Sequence, residues 1–197
     1  MKLLRALMAL VLVVLATGCE EDNAISVRLR VTEDLSGTVI TSALAVPAGP
    51  GAVEQAATGA SFDRQVSLRG AKGRFGSLEG LAIGDVRFSA GASDSGLRWA
   101  RVEVPTGAEA RWPALFVPLT EAERRSAAEA FEVSGDAGDV GRKFKIEIEL
   151  PSEVVSNGAT GKVRGTKNTS DGKTATLVVP IEAARNGKEP LVWQITW

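Results

Sequence analysis

Among the side chains that could carry chemistry, one type is missing. The 197 residues contain no histidine, and cysteine occurs once, at Cys19. Without histidine, neither a Ser-His-Asp nor a Cys-His nucleophile can form within the chain. The commonest ligand for zinc and copper is absent too. Carboxylates remain. Glu147 and Glu149 stand two apart in residues 143–150 (KFKIEIEL), on one face of a strand. Alternating with apolar residues and following Lys143 and Lys145, they read as a charge ladder on solvent. A carboxylate-dependent hydrolase would need two carboxylates facing each other across a cleft, roughly 5–9.5 Å apart. Asp85, Asp94 and Glu103 do not keep the spacing of a calcium loop. Residues 158–163 (GATGKV) fall short of a phosphate loop: Ser156 stands where glycine is required and Val163 where Ser or Thr must hold magnesium. Gly70, Gly73 and Gly76 recur every third position for only three steps, which reads as a surface turn. Arg64, Arg69, Lys72 and Arg74 around them read as solvated, or as contacts for anionic lipid or polysaccharide. No catalytic residue, metal ion or cofactor is expected.

The one thiol closes the opening stretch, residues 1–19 (MKLLRALMALVLVVLATGC). Lys2 and Arg5 are basic, residues 6–15 are an unbroken apolar run, and Ala16, Thr17 and Gly18 are small. This is the three-part layout of a secretory signal peptide. The run is shorter than the roughly 20 apolar residues of a spanning helix, and Glu20, Glu21 and Asp22 end it. Leu15-Ala16-Thr17-Gly18-Cys19 resembles the lipobox of bacterial lipoproteins. Leucine, usual three places before the cysteine, stands four places before it here. The resemblance implies a diacylglycerol on Cys19, cleavage before it, and a palmitate-type chain on the new amine. A single acyl chain binds membranes marginally, at about 0.8 kcal/mol per buried CH₂, whereas two or more anchor stably. The other reading is an ordinary signal peptide with a chance cysteine. In bacteria with two membranes, Glu20 in place of aspartate implies sorting to the outer membrane rather than the inner.

Cleavage before Cys19 leaves 179 residues, ample for one core. Removing Lys2 and Arg5 leaves 21 basic against 24 acidic residues, a net charge of −3. That is no electrostatic footprint for nucleic acid. With Cys19 lipidated no thiol remains to pair, so packing alone must hold the domain. The organisation expected is a signal peptide over 1–18, an acylated tether over 19–24 and a single β-rich envelope domain over 25–197.

Alternation supplies most of the elements. Residues 25–32 place Ile25, Val27, Leu29 and Val31 on one face, and residues 38–46 return as the second strand of a hairpin. Residues 47–60 read as a loop. Strands are expected within 81–89 and 97–105. Residues 112–119 (WPALFVPL) are the densest apolar patch after the signal, and Pro113 and Pro118 limit them to an edge strand at best. Two readings stay open for Trp112, Leu115 and Phe116: core, or the lip of an apolar ligand pocket. Thr120 and Glu123 form a capping box, which predicts one principal helix over about 121–131, packed on the sheet. Residues 143–150 are a strand, 151–160 turn the chain, and 161–166, 167–172 and 173–180 read as strand, turn and strand. Residues 181–186 read as one helical turn. The last strand, 191–197 (LVWQITW), puts Leu191, Trp193, Ile195 and Trp197 on one face, where both indoles belong in the core. The fold class is therefore α+β, mostly antiparallel β-sheet.

The order of elements carries a second resemblance. A lipobox leads into a strand hairpin; later come Leu150-Pro151, Val154-Val155-Ser156-Asn157-Gly158, and a Thr-containing strand over 174–179. This resembles the LppM-type lipoprotein domain over residues 25–46 and 143–197. That family often adds a C-terminal membrane helix, which this sequence does not show. The resemblance implies a curved antiparallel sheet and binding of lipid or glycolipid.

The function expected is a non-enzymatic, membrane-anchored lipoprotein of the bacterial cell envelope that binds a lipid or amphipathic ligand. The alternative is a structural adaptor working through protein contacts, at a sheet edge or on the wet face of 143–150. Its partners would be the membrane, through Cys19, and a lipid or another envelope protein. Cys19→Ser is expected to abolish incorporation of labelled palmitate and to release the chain from the membrane fraction. A variant that keeps both label and membrane would refute the lipobox.

Overall fold

The computed structural model describes residues 26–45, 67–115, 120–130 and 136–197. Cys19, the tether and Phe116 lie outside them. The period-two segments become strands. β1 (Ser26–Val31) and β2 (Gly37–Ala45) form the expected hairpin, and β3 (Ser67–Phe75) pairs with β2 over nine residues. β4 (Ala82–Ile83), β5 (Val86–Ala92) and β6 (Arg98–Val104) follow. After α1 (Glu121–Ala130) come β7 (Lys143–Glu149), β8 (Ser156–Thr160), β9 (Lys167–Asp171), β10 (Thr174–Pro180), the short α2 (Ile181–Arg185) and β11 (Leu191–Thr196).

The strands make two sheets, in the orders β3-β2-β1-β7-β10-β9 and β4-β5-β6-β11-β8. Among the described residues one pair is parallel, β1 with β7; the others are antiparallel. Inward residues of both sheets belong to one buried cluster: Val27, Leu29, Ile146, Ile148 and Leu177 from the larger, Phe88, Val102, Trp193 and Ile195 from the smaller. The architecture is a sandwich within the α+β class, mostly antiparallel, with α1 the longer of the two described α-helices. Trp193 is fully buried in β11, which lies between β6 and β8, and its indole N–H donates to Asn157 Oδ1 at 2.6 Å. Trp197 is buried too, and its backbone exchanges two hydrogen bonds with Arg98.

Five local expectations change. The glycine run Gly70–Gly73 lies inside β3, not in a turn, because β2 offers it an unbroken ladder. Residues 156–160 are an edge strand rather than a turn, drawn out by β11. Residues 167–171 are a strand, and the turn shrinks to Gly172–Lys173, where Gly172 takes the left-handed φ of 52°. Residues 161–166, expected as a strand, are a loop. Trp112–Leu115 is a 3₁₀ turn, not a strand. The capping box forms in both directions: Glu123 N–H donates to Thr120 Oγ1 at 3.2 Å, and Thr120 N–H to Glu123 Oε2 at 2.8 Å. The main neighbour of α1, however, is the 3₁₀ turn Ala137–Asp139 rather than a sheet. Its buried Ala127 stays outside the central cluster.

The sandwich has two unlike ends. At the proximal end the chain arrives at Ser26. Because β1 and β7 are parallel, the start of β7 lies there too, with the end of β10, α2 and the start of β11. The β4–β5 turn and the end of β6 share this end. The distal end carries the β1–β2, β5–β6, β7–β8 and β9–β10 loops.

Trp193→Ala should lower stability by about 3–5 kcal/mol, because a large buried ring leaves a cavity between the sheets. Denaturant unfolding measures it; a loss below about 1 kcal/mol would mean that Trp193 is not packed in the core.

Candidate functional site

The proximal end holds a groove of about 820 Å³. Gly84 and Asp85, in the β4–β5 turn, form one wall. Asp85 organises it: its two carboxylate oxygens accept the N–H groups of Arg111 (2.6 Å) and Trp112 (2.9 Å). They satisfy donors that open the 3₁₀ turn, as a capping side chain does for a helix. The opposite wall is the crossing of residues 105–107 over 184–190. Gly107 N–H donates to Ala184 O at 2.8 Å and Thr106 Oγ1 to Glu189 O at 2.7 Å. The backbones approach so closely that a Cβ on Gly107 would lie 2.8 Å from Gly187 O, at a left-handed φ of 81°. Glycine is required there.

The lining is mixed. Pro105, Ala110, Trp112 and Pro190 supply apolar surface; Asp85, Glu103 and Glu109 face Arg87, Arg111 and Lys188 around it. Arg87 and Glu103 are cross-strand neighbours on β5 and β6. Such a groove can take a ligand with an apolar body and a polar or ionic end.

The three residues singled out for an apolar site fare differently. Trp112 borders the groove but is only 2 % exposed; its indole N–H donates to Pro105 O at 2.7 Å, and its ring lies 4.9 Å from that of Phe144. It belongs to the central cluster and offers the groove only its edge. Leu115 ends the 3₁₀ turn that Trp112 opens. Phe116 is outside the described residues. In the sequence Asp85 is weighed only as a carboxylate outside any calcium loop, and Arg111 and Lys188 go unnoticed. They are brought together by the turn and by α2, and no local pattern marks them.

Glu147 and Glu149 do not form an acid pair. Glu147 bonds Arg28 at 2.9 Å and Lys145 at 3.0 Å, and Glu149 bonds Arg30 at 2.8 Å, on the outer face of the larger sheet. A second cavity at the proximal end, about 520 Å³, lies between α1, the start of β7 and α2. Among the described residues no group of three or more Cys, Asp or Glu could hold a metal ion, and no helix is long and apolar enough to cross a membrane. Comparison with protein-family models, curated proteins and solved structures finds no match.

Asp85→Ala leaves two backbone donors without their acceptor and is expected to cost about 1–3 kcal/mol. Asp85→Asn keeps one acceptor and should recover part of it. Hydrogen exchange checks the mechanism: the Arg111 and Trp112 amides should lose protection before the rest of the fold, and unchanged protection there would contradict it.

Proposed function

We propose that this chain is a non-enzymatic lipoprotein of the bacterial cell envelope, held to the outer membrane by acylated Cys19, and that its groove receives an amphipathic ligand beside the bilayer. The observation that carries this reading is the location of the groove. It opens at the end of the sandwich where the chain arrives from the tether. Six residues lie between Cys19 and Ser26, a reach of roughly 25 Å at most. An anchor at Cys19 therefore keeps the groove within reach of headgroups, where a ligand with an apolar part is concentrated. Lining of both characters supports an amphipathic ligand over a purely apolar one.

A second reading, an adaptor acting through protein contacts, draws on β3. It is an edge strand whose far side no described strand covers, although Lys72 and Arg74 on it are of the kind that discourages pairing.

Native mass spectrometry of the mature protein released from detergent separates the two. A ligand carrier shows a lipid-sized adduct beyond the covalent acyl mass, lost on gentle activation and absent from a variant with Ala110→Trp filling the groove. Only the covalent mass, in repeated preparations, would contradict the carrier and favour the adaptor.

A further inference from the structure

One tryptophan stands outside the core. Trp112, Trp193 and Trp197 are buried, whereas Trp99 is half-exposed, in β6 on the outer face of the smaller sheet. Its ring has room because of its neighbour. Gly91 stands opposite it on β5, and a Cβ there would lie 2.8 Å from Cζ2 and 2.9 Å from Cε2 of the indole. The ring therefore rests over the glycine. Around it the face is polar or bare. Arg101 and Glu103 follow on the same side of β6, 3.9 Å apart and both partly exposed. Gln194 stands exposed opposite Arg101 on β11, and beyond it a Cβ on Gly158 would meet nothing within 4 Å. Next to Trp99 the face is hollow. A cavity of about 260 Å³ is lined by Ser89 and Arg101, the outward pair adjoining Gly91 and Trp99. Arg87 and Glu103 border both this cavity and the first groove. Ring, hollow and groove thus form one track along β6, roughly 20 Å long from Trp99 to Pro105 at the rise of a strand.

We infer that this track binds a saccharide chain, one pyranose stacked on Trp99 and its hydroxyls held by Gln194, Arg101 and Glu103, with the β-1,4-linked glycan of the bacterial wall as its source. A pyranose presents C–H groups on its faces, which suit an indole, and hydroxyls around its rim. Each hydroxyl both donates and accepts. A guanidinium donates, a carboxylate accepts and the glutamine amide does both, so the face answers both needs. Its charges nearly cancel, with Arg87 and Arg101 against Glu103 and the carboxylate of Glu79, which holds the Ala90 N–H at the edge of β5. That balance suits a polyol better than a polyanion. An added peptide strand finds no ladder on that edge: Phe88 N–H already donates to Leu81 O at 2.9 Å, and Ala90 N–H to Glu79 Oε2 at 2.7 Å. The ligand therefore comes over the face. A β-1,4-linked chain is extended and flat enough to lie along it, whereas an α-1,4-linked chain coils. Position supports the wall: Trp99 lies toward the distal β5–β6 loop, at the end away from the tether. The choice of the wall as source, but not the saccharide site itself, rests on the anchored reading above.

The test uses the mature full chain, isotope-labelled, in a zwitterionic detergent free of sugar. The probes are chitotetraose (β-1,4-linked N-acetylglucosamine), cellotetraose (β-1,4-linked glucose) and maltotetraose (α-1,4-linked glucose). Acrylamide quenching of fluorescence reads Trp99, because the other three tryptophans are buried. Chitotetraose is expected to shield it saturably and to shift amides at 89–91, 99–103 and 192–196. Trp99→Ala should weaken those shifts' titration roughly tenfold, as the loss of an aromatic anchor does. Gly91→Ala, which crowds the ring off its seat, should weaken it as well, and Trp99→Phe should keep most of the binding. No saturable binding of either β-linked tetramer, or equal binding by a folded Trp99→Ala variant, would overturn the site. Cellotetraose bound more tightly than chitotetraose would keep the site and overturn the wall as its source. Maltotetraose bound as tightly as both would overturn the extended chain. A protein without palmitate that still binds chitotetraose would refute the anchor alone.

Discussion

β1 lies parallel to β7, with Val27 opposite Ile146 and Leu29 opposite Ile148. This pairing joins the N-terminal hairpin to strands more than a hundred residues later, and the rest of the sandwich depends on its register. The inward residues of the pair are all buried. Each such side chain contributes about 1.5–3 kcal/mol on leaving water. A slip of one residue would turn all of them to solvent. On the outer face the same register sets Arg28 against Glu147 and Arg30 against Glu149. Exposed pairs of this kind are worth about 0–1 kcal/mol each, so burial selects the register and the charges discriminate against alternatives. The parallel direction has a second consequence: it brings the chain in at the end where both cavities lie.

The sequence made much of this legible, and for identifiable reasons. The strands with a buried face announced themselves by alternation, as in β1, β7 and β11. The capping box of α1 could be read because it is local: four consecutive residues contain the whole mechanism. What escaped was non-local. Ser156–Thr160 (SNGAT) has no apolar alternation, and is a strand because β11 supplies a ladder on one side. On the other, Asn157 and Asn168 side-chain amides stitch it to β9. The β3 glycines read as a turn because no local rule shows that β2 will cover nine residues of backbone. The groove was invisible for the same reason. Asp85, Arg111 and Lys188 span a hundred residues, and among its lining only Trp112 stood out as a binding candidate, a residue that proves to be chiefly core.

Charge gives the molecule a direction. Asp34, in the distal β1–β2 loop, accepts hydrogen bonds from the Thr32 and Ser36 hydroxyls, which hold its carboxyl down at about 2. Its folded value lies below its ordinary one of 3.8. The stabilisation it brings is therefore complete above that ordinary value and is lost only as pH falls through about 2. Asp34 therefore keeps its negative charge well into the acid range. Proximal charges are mixed around the first groove and predominantly basic around the second. A groove of mixed lining and a basic cavity lie at one end and acids at the other; with the proposed anchor at Cys19, such a domain would stand on a membrane in one orientation.

That orientation can be measured directly. The mature chain would be reconstituted in nanodiscs containing a lipid spin-labelled at the headgroup, and paramagnetic broadening of backbone amides recorded along the chain. The account predicts strong broadening at 84–85, 106–111 and 181–190, and little at 33–35, 94–96 and 172–173. Broadening of the distal loops, or equal weak broadening at both ends, would contradict it.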